Sequence, residues 1–250
     1  MNKITLVKYA VFAALFTGCS KDYNIQLPPN KSELVVECYL EDGQRLRALI
    51  SESTRLLDSS IVPFAYIDTL RRRAYNYGNP KKVVANYNSN ELYRIDVYDN
   101  NGRHAYGETR FAPLVQIDSL TPTFNNQQEA FCATKFTDPD KSLNNYFRLL
   151  LHKNAIHDSL SLEALLDNSL ANDKHVFAYG SGYDFKKGDV IYGTLYHLTF
   201  EYYQYLSTLQ NSRTALVNPF AVSGEVVTNI KGGLDIFAAL SYTRKSVVVP

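Results

Sequence analysis

"ELYRIDVYDNNGRHAYGETRF", residues 91–111, is the stretch that decides the fold. Tyr93, Ile95 and Val97 alternate with polar residues, which is the period of a half-buried strand. "DNNG" then supplies a turn, and "RHAYGETRF" runs back. The segment reads as a β-hairpin. Upstream, "SELVVECYLEDGQRLRALISES" (32–53) repeats the pattern. Leu34, Val36, Cys38 and Leu40 face one way, and Val35, Glu37 and Tyr39 the other. "EDGQ" is a turn of the hairpin type. Residues 56–90 are less regular and include the basic, Tyr-bearing "LRRRAYNYGNPKK" (70–82). Charge runs of this kind are usually solvated connections; the alternative is a patch that meets anionic lipid or lipopolysaccharide.

Downstream, "APLVQIDSLTPTF" (112–124) leads out of the hairpin, with Pro113 and Pro122 as punctuation. "EAFCATKFTDPDKSLNNYFRLLLHKN" (129–154) reads as two strands around a polar turn. In "SLEALLDNSL" (161–170), Leu162, Leu165, Leu166 and Leu170 would share one face of a short helix. "GYDFKKGDVIYGTLYHL" (182–198) is a turn followed by a strand. "TFEYYQYLSTLQNSR" (199–213) is the best helix, with Thr199 as its cap and Tyr202, Tyr205, Leu206 and Leu209 on one side. "GEVVTNIKGGLDIFAALSYTRKSVVV" (224–249) returns to strands through a Gly232-Gly233 turn. The expected fold is mainly β: two β-sandwich, Ig-like modules over 32–117 and 118–250, the second with one or two short helices.

The N-terminus reads differently. Lys3 and Lys8 precede an apolar run, Tyr9–Phe16, and small residues follow. That is the plan of a secretory signal, and the run is too short for a membrane-spanning helix, which needs ~20 apolar residues. "LFTGC" (15–19) matches a bacterial lipobox, so residues 1–18 are expected to be removed and Cys19 to be lipidated. Two or more acyl chains anchor a protein stably. Residues 19–31 then form the lipidated Cys and a linker, stiffened by Pro28-Pro29. The short polar stretch Ser20-Lys21-Asp22 resembles a surface-export signal, which points to the outer membrane and the cell surface.

The chain has 250 residues, with 26 basic and 25 acidic side chains. Loss of Lys3 and Lys8 leaves 24 against 25, a net charge of −1. Near-neutrality argues against nucleic acid as a partner. Tyr is abundant, at 19, and Trp is absent, a composition that suits strands and binding faces. Besides Cys19, the mature chain holds Cys38 and Cys132, which could pair in an oxidising compartment if their strands are adjacent but are read as two separate buried thiols. With no CxxC or Cys/His cluster, no structural zinc is expected.

Catalytic chemistry does not rise above background. Asp138, Asp140, Ser142 and Asn144 have calcium-loop spacing, but Pro139, Leu143 and Leu149 break the pattern, and a polar turn fits better. His152 and His157 lie five apart without a third ligand and read as surface or satisfied side chains. His104 and His197 sit alone in strands and read as structural. Ser181 in "YGSGYD" lacks the GxSxG form and a following helix. Gly232-Gly233 has neither helix nor Lys behind it, so it is no phosphate loop. No metal, cofactor or enzyme activity is expected. Tyr202, Tyr203 and Tyr205 are candidate interface residues wherever they are exposed. Asp-(Ser/Thr)-aliphatic occurs at Thr69, Ser119 and Ser159 and resembles the O-glycosylation acceptor of exported Bacteroidota proteins.

Taken in order, "SELVVECYLEDGQ", "YRIDVYDNNGRHAYGETRFAPLVQIDSL", "TDPDKSLNNYFRL", "DFKKGDVIYGTLYHLTFEYYQYLSTL", "NPF" and "TNIKGGLDIFAALS" resemble the Bacteroidota lipoprotein family called domain of unknown function 4249. That family usually has Gly where this chain has Cys38. The resemblance implies an outer-membrane lipoprotein, of a kind often encoded beside TonB-dependent receptors of the SusC type, with no established catalytic residues. The expected role is a non-enzymatic accessory of a TonB-dependent β-barrel that binds the barrel or its cargo. The alternative is a structural subunit of a larger outer-membrane assembly or secretion complex.

Overall fold

The computed structural model describes residues 32–250 apart from 45, 54–65, 69–72, 76, 79–86, 88–89, 139–143, 159, 171–175 and 219–223. Most of the irregular 56–90 stretch therefore lies outside the described residues. The first hairpin forms as its alternation demands, with β1 (Leu34–Glu41) antiparallel to β2 (Arg47–Glu52). The short strands β3 (Tyr66–Asp68) and β4 (Arg73–Tyr75) pair with each other, and β5 (Tyr77–Gly78) pairs with β2. The deciding hairpin is β6 (Tyr93–Tyr98) and β7 (His104–Thr109). β8 (Ile117–Phe124), β9 (Glu129–Thr137), β10 (Tyr146–Lys153) and β11 (Leu160–Asp167) follow. After them come β12 (Val176–Gly180), β13 (Phe185–Lys186), β14 (Val190–Leu198), helix α1 (Phe200–Val217), β15 (Ile230–Lys231) and β16 (Gly233–Val248).

Seven strands make the main sheet, in the order β11-β10-β14-β16-β1-β2-β5. β16 is its spine. It pairs antiparallel with β14 through its second half and parallel with β1 through its first, from Leu34↔Gly233 to Glu41↔Leu240. Odd-numbered residues of β16 face one side and even-numbered residues the other. On the odd side lie two cores. One sits under the β8, β9, β12 and β13 sheet and contains Phe136, Phe147, Phe177, Leu149, Leu195 and Cys132. The other sits under β6, β7 and β15 and contains Val36, Cys38, Phe111, Ile230, Phe237 and Ala239. The result is a β-sandwich-like architecture in which one long sheet backs two smaller ones.

The expected split at 117/118 does not follow these cores, because Val115 and Ile117 pack in the first and Ile230, Phe237 and Ala239 in the second. It does not separate two sheets, because β1 and β2 share the main sheet with β10, β11, β14 and β16. Ser32–Pro250 is one compact unit. The cause is the parallel β1–β16 pair, a contact between the two ends of the unit that hairpin logic does not foresee. The leader to β8 crosses the shared sheet and is tied to it. The Thr243 hydroxyl donates to Val115 O at 2.6 Å and Lys245 Nζ donates to Asp118 O at 2.6 Å. Pro122 does not punctuate this leader; it lies within β8, which among the described residues pairs only with β9. An edge is where a strand tolerates a residue without an N–H.

The short helix expected over 161–170 is a strand. Residues 160–167 pair with β10, and Ala164 and Leu166 enter the core while Leu165 faces the other side. With both faces of the sheet covered, a strand buries its leucines on both sides, so helical spacing of Leu misleads. Only a single 3-10 turn, Asn168–Leu170, follows. Helix α1 forms as its sequence predicts. The Thr199 side chain caps it by accepting from Tyr202 N, and Glu201 sits in its first turn. Asn218 ends it just before Pro219, a residue that disfavours helical backbone at the position ahead of it. Tyr202, Tyr205, Leu206 and Leu209 pack on Tyr39, Leu198, Ile236 and Ala238 of the even side. Asp235, in the left-handed region at φ 82°, lies beside the Tyr205 hydroxyl. Burial first, and this carboxylate second, push the Tyr205 phenol far above its ordinary value.

The two thiols are free, buried and in different cores, as their placement in strands predicts. Burial pushes the Cys38 thiol up to about 12, with Glu37 adding to the effect. Burial likewise raises Cys132. Thiolate is the reactive form, so neither Cys38 nor Cys132 is expected to react with a disulfide reagent at pH 8 in the native protein. Both should react in denaturant, and a fast native reaction at either one contradicts the buried placement.

Candidate functional site

Cys19, the expected lipid acceptor, lies outside the described residues, as do Thr69 and Ser159. Ser119 lies half-buried in β8, next to an irregular step in its pairing with β9. Its neighbour Asp118 accepts from the Thr137 hydroxyl at 2.8 Å. The chain enters the described fold at Ser32, where Arg103 holds it by a bond from Nη1 to Ser32 O at 3.1 Å. Arg103 also pairs with Asp99 and Glu52. The start of the folded unit is therefore clamped to the turn end of the β6–β7 hairpin.

The tyrosines of α1 do not form an exposed interface, which corrects the expectation for two of them. Tyr202 is 3% exposed and Tyr205 7%, both in the core between helix and sheet. Tyr203 is half-buried, stacked on Tyr146 at 4.6 Å with its hydroxyl on Asp167 at 3.3 Å. An 18-residue helix on a broad sheet needs large apolar anchors, and tyrosine fills that role here.

An exposed aromatic surface lies on the three-stranded sheet β15-β7-β6. Alternation sends Val97, Ala105 and Ile230 into the core. Arg94, Asp96, Tyr98, His104, Tyr106, Glu108 and Lys231 occupy the opposite face. Tyr98 is 71% exposed. The Tyr98 and His104 rings stack at 4.4 Å and 4°, and His104 and Tyr106 stack at 5.5 Å and 22°. The Arg94 guanidinium lies 4.2 Å above Tyr106 and Lys231 Nζ lies 5.5 Å from the same ring. Asp96 accepts from Arg94 at 2.9 Å and lies 2.9 Å from His104 Nε2, while Arg94 reaches Glu108 at 3.3 Å. The Arg94 bond, then the His104 bond, hold the Asp96 carboxyl down at about 2. The face is a pre-stacked set of aromatic and charged groups with opposite charges interleaved. His104, expected to be structural, is at its centre. The readable signal was the second set of alternate positions in the deciding hairpin, opposite the apolar set.

The remaining candidates serve the fold. Asp138 is buried and accepts twice from Asn145 Nδ2, at 3.0 and 2.9 Å. Asn145 Oδ1 lies 3.1 Å from His197 Nε2, and His197 Nδ1 lies 2.6 Å from Pro113 O. This network ties β10 and β14 to the leader of β8. Residues 139–143 of the calcium-like spacing lie outside the described residues. Ser181 accepts from Cys132 N at 2.8 Å and donates to Gly182 O at 2.7 Å, so its hydroxyl is occupied in the β12–β13 connection. Among the described residues, no group of three His, Cys, Asp or Glu side chains is placed to hold a metal ion. No helix among them is long and apolar enough to cross a membrane.

His157 is exposed, but His152 is buried, with its Nδ1 unpartnered, contrary to its reading as a surface or satisfied side chain. Burial, then Arg244, push its imidazole below the ordinary value, and burial does the same to His197. The unfolded chain therefore takes up protons below pH ~6.5 that the folded chain refuses. Stability is expected to fall as pH drops from 7 toward 5 and to be flatter in a His152→Leu variant, read by thermal melts. An equally steep acid limb in that variant removes His152 as a cause.

The fold and its site define a mainly β, sandwich-like protein with an exposed aromatic face and a helix seated on the far side of its main sheet. The chain belongs to the family described as Domain of unknown function (DUF4249), whose model matches residues 20–246. No curated protein and no solved structure matches the chain.

Proposed function

We propose that this protein is a non-enzymatic lipoprotein of the outer membrane, tethered through Cys19, that serves as an accessory of a TonB-dependent, SusC-type β-barrel. It docks on the barrel, or on cargo held there, through the outward face of β6 and β7. The observation that carries the reading is the Tyr98–His104–Tyr106 stack braced by Arg94. Tyr and Arg dominate the energetic centres of protein interfaces. Side chains already fixed by stacking and ion pairs lose little freedom on docking. The lipobox "LFTGC" supports the tether. The 12 residues from Ser20 to Lys31 allow a reach of at most ~40 Å between anchor and fold, which suits contact with a neighbouring membrane protein. The family's description assigns no function, so the reading rests on the lipobox and the exposed face.

The tether has its own test, metabolic labelling with palmitate followed by membrane fractionation. The wild-type chain should be labelled and sediment with outer membranes. Cys19→Ala should be unlabelled and released, with its β spectrum by circular dichroism unchanged. A labelled Cys19→Ala chain contradicts Cys19 as the acceptor.

A further inference from the structure

Beside α1, the even-numbered side of the main sheet continues with polar and aromatic side chains. Register sets them in rows: Arg148, Tyr196 and Tyr242 are neighbours across β10, β14 and β16, Thr194 pairs with Arg244, and His152 pairs with Tyr192. Arg244 is exposed and held at two points. Its guanidinium lies 4.5 Å over the Tyr242 ring, and its Nε donates to Thr194 Oγ1 at 3.3 Å. Thr194 is itself fully buried. The stem of the guanidinium is thus fixed, and its two terminal nitrogens have no partner among the described residues. Arg148 places Nε and Nη2 on one oxygen of Glu163, at 2.8 and 2.6 Å. Glu163 thus offsets Arg148, while Asp158 acts on His152 and Glu41 on Tyr196 in the sense opposite to the arginines.

His152 is the second, independent sign. It is only 9% exposed, and its Nδ1 is buried with no partner among the described residues. A buried polar atom without a bond costs stability and calls for an explanation in terms of function. Positive potential converges on this spot: both arginines add to the effect of burial in depressing the His152 imidazole, and both act on Tyr196 against a larger effect of burial.

We propose that Arg244, with Arg148 and His152 beside it, forms an oxyanion site that takes the phosphate or carboxylate group of a ligand. A planar guanidinium offers two parallel N–H bonds that match two oxygens of such a group. Stacking on Tyr242 and the bond to Thr194 set that fork before the ligand arrives, so binding does not have to immobilise it. Topology alone assembles the site. Arg148 and His152 come from one strand and Arg244 from another nearly a hundred residues on, with β14 between them.

The test is calorimetric titration of sodium phosphate into the mature lipoprotein in neutral detergent, at constant ionic strength. A parallel arm replaces free phosphate by micelles doped with phosphatidylglycerol. The near-ultraviolet dichroism of the tyrosines is then read against dopant fraction. A saturable response is expected, weakened at least about tenfold by Arg244→Gln and unchanged by Arg110→Gln, an exposed arginine just after β7. Saturation with free phosphate identifies a soluble oxyanion as the source. Saturation only in doped micelles identifies a lipid headgroup. A lack of saturation in both arms, or equal binding by Arg244→Gln with an unaltered far-ultraviolet spectrum, overturns the proposal.

Discussion

Phe147→Ala is expected to lower the stability of the folded unit by about 4 kcal/mol, within the range for deleting a buried phenylalanine. The ring is fully buried. It lies edge-on to Phe136 at 5.0 Å and to Phe177 at 5.2 Å, and it stacks on His197 at 4.8 Å. Phe136 and Phe177 in turn stack on each other at 4.7 Å. Three strands, β9, β10 and β12, thus meet on one side chain. Backbone pairing holds the sheets on both sides of the void, so it cannot collapse freely. For a unit of this size, the midpoint of thermal unfolding should fall by roughly 8 to 16 °C. Far-ultraviolet dichroism against temperature reads the shift. A fall of less than about 3 °C means that the two sheets do not meet through this ring.

Gly232→Ala is expected to cost nearly as much, for a backbone reason. Gly232 has φ 76°, in the left-handed region, and a Cβ there would lie 2.4 Å from His104 O. The conformation costs an alanine roughly 1–2 kcal/mol, and relief of the clash costs typically another 1–3 kcal/mol. The residue next to it has no room either, because a Cβ on Gly233 would lie 2.6 Å from Leu34 O. These glycines let the chain turn from β15 into β16 while β1 and β7 press against it. Their replacement disturbs the spine of the main sheet where it starts. A thermal midpoint within about 2 °C of wild type contradicts this account of the turn. Gly43→Ala gives the comparison: φ is 68° there, but nothing lies within 4 Å of the added Cβ, so only the conformational part of the loss should appear.

Local pattern made the hairpins and α1 readable. Tyr93, Ile95 and Val97 alternate in sequence and turn toward the core in space, and Thr199 caps the helix its sequence predicts. Contacts between distant segments were not readable in that way. The β1–β16 pair joins residues about two hundred apart, so the single shared sheet was hidden behind two local modules. The leucines of 161–170 mislead because β11 packs apolar side chains on both faces, Leu166 buried on one and Leu165 half-buried on the other, which blurs the two-residue alternation. The tyrosines of α1 sit on an apolar stripe, and stripe geometry does not distinguish a core from an interface. The face around His104 was written in the hairpin, but Asp96 and Arg94 gained meaning only when β7 set His104 and Tyr106 beside them. The Arg148, His152 and Arg244 cluster has no local signature at all.

The central claim is that the exposed face of β6 and β7 docks this lipoprotein on a TonB-dependent barrel. The most direct measurement is a mild-detergent pull-down of the native protein from outer membranes, with co-purifying chains identified by mass spectrometry, repeated with the double variant Tyr98→Ala, His104→Ala. Near-stoichiometric recovery of one TonB-dependent barrel by the wild type, lost in the variant, is the predicted result. Recovery of secretion or assembly components in place of a barrel, or of the bait alone, would contradict it.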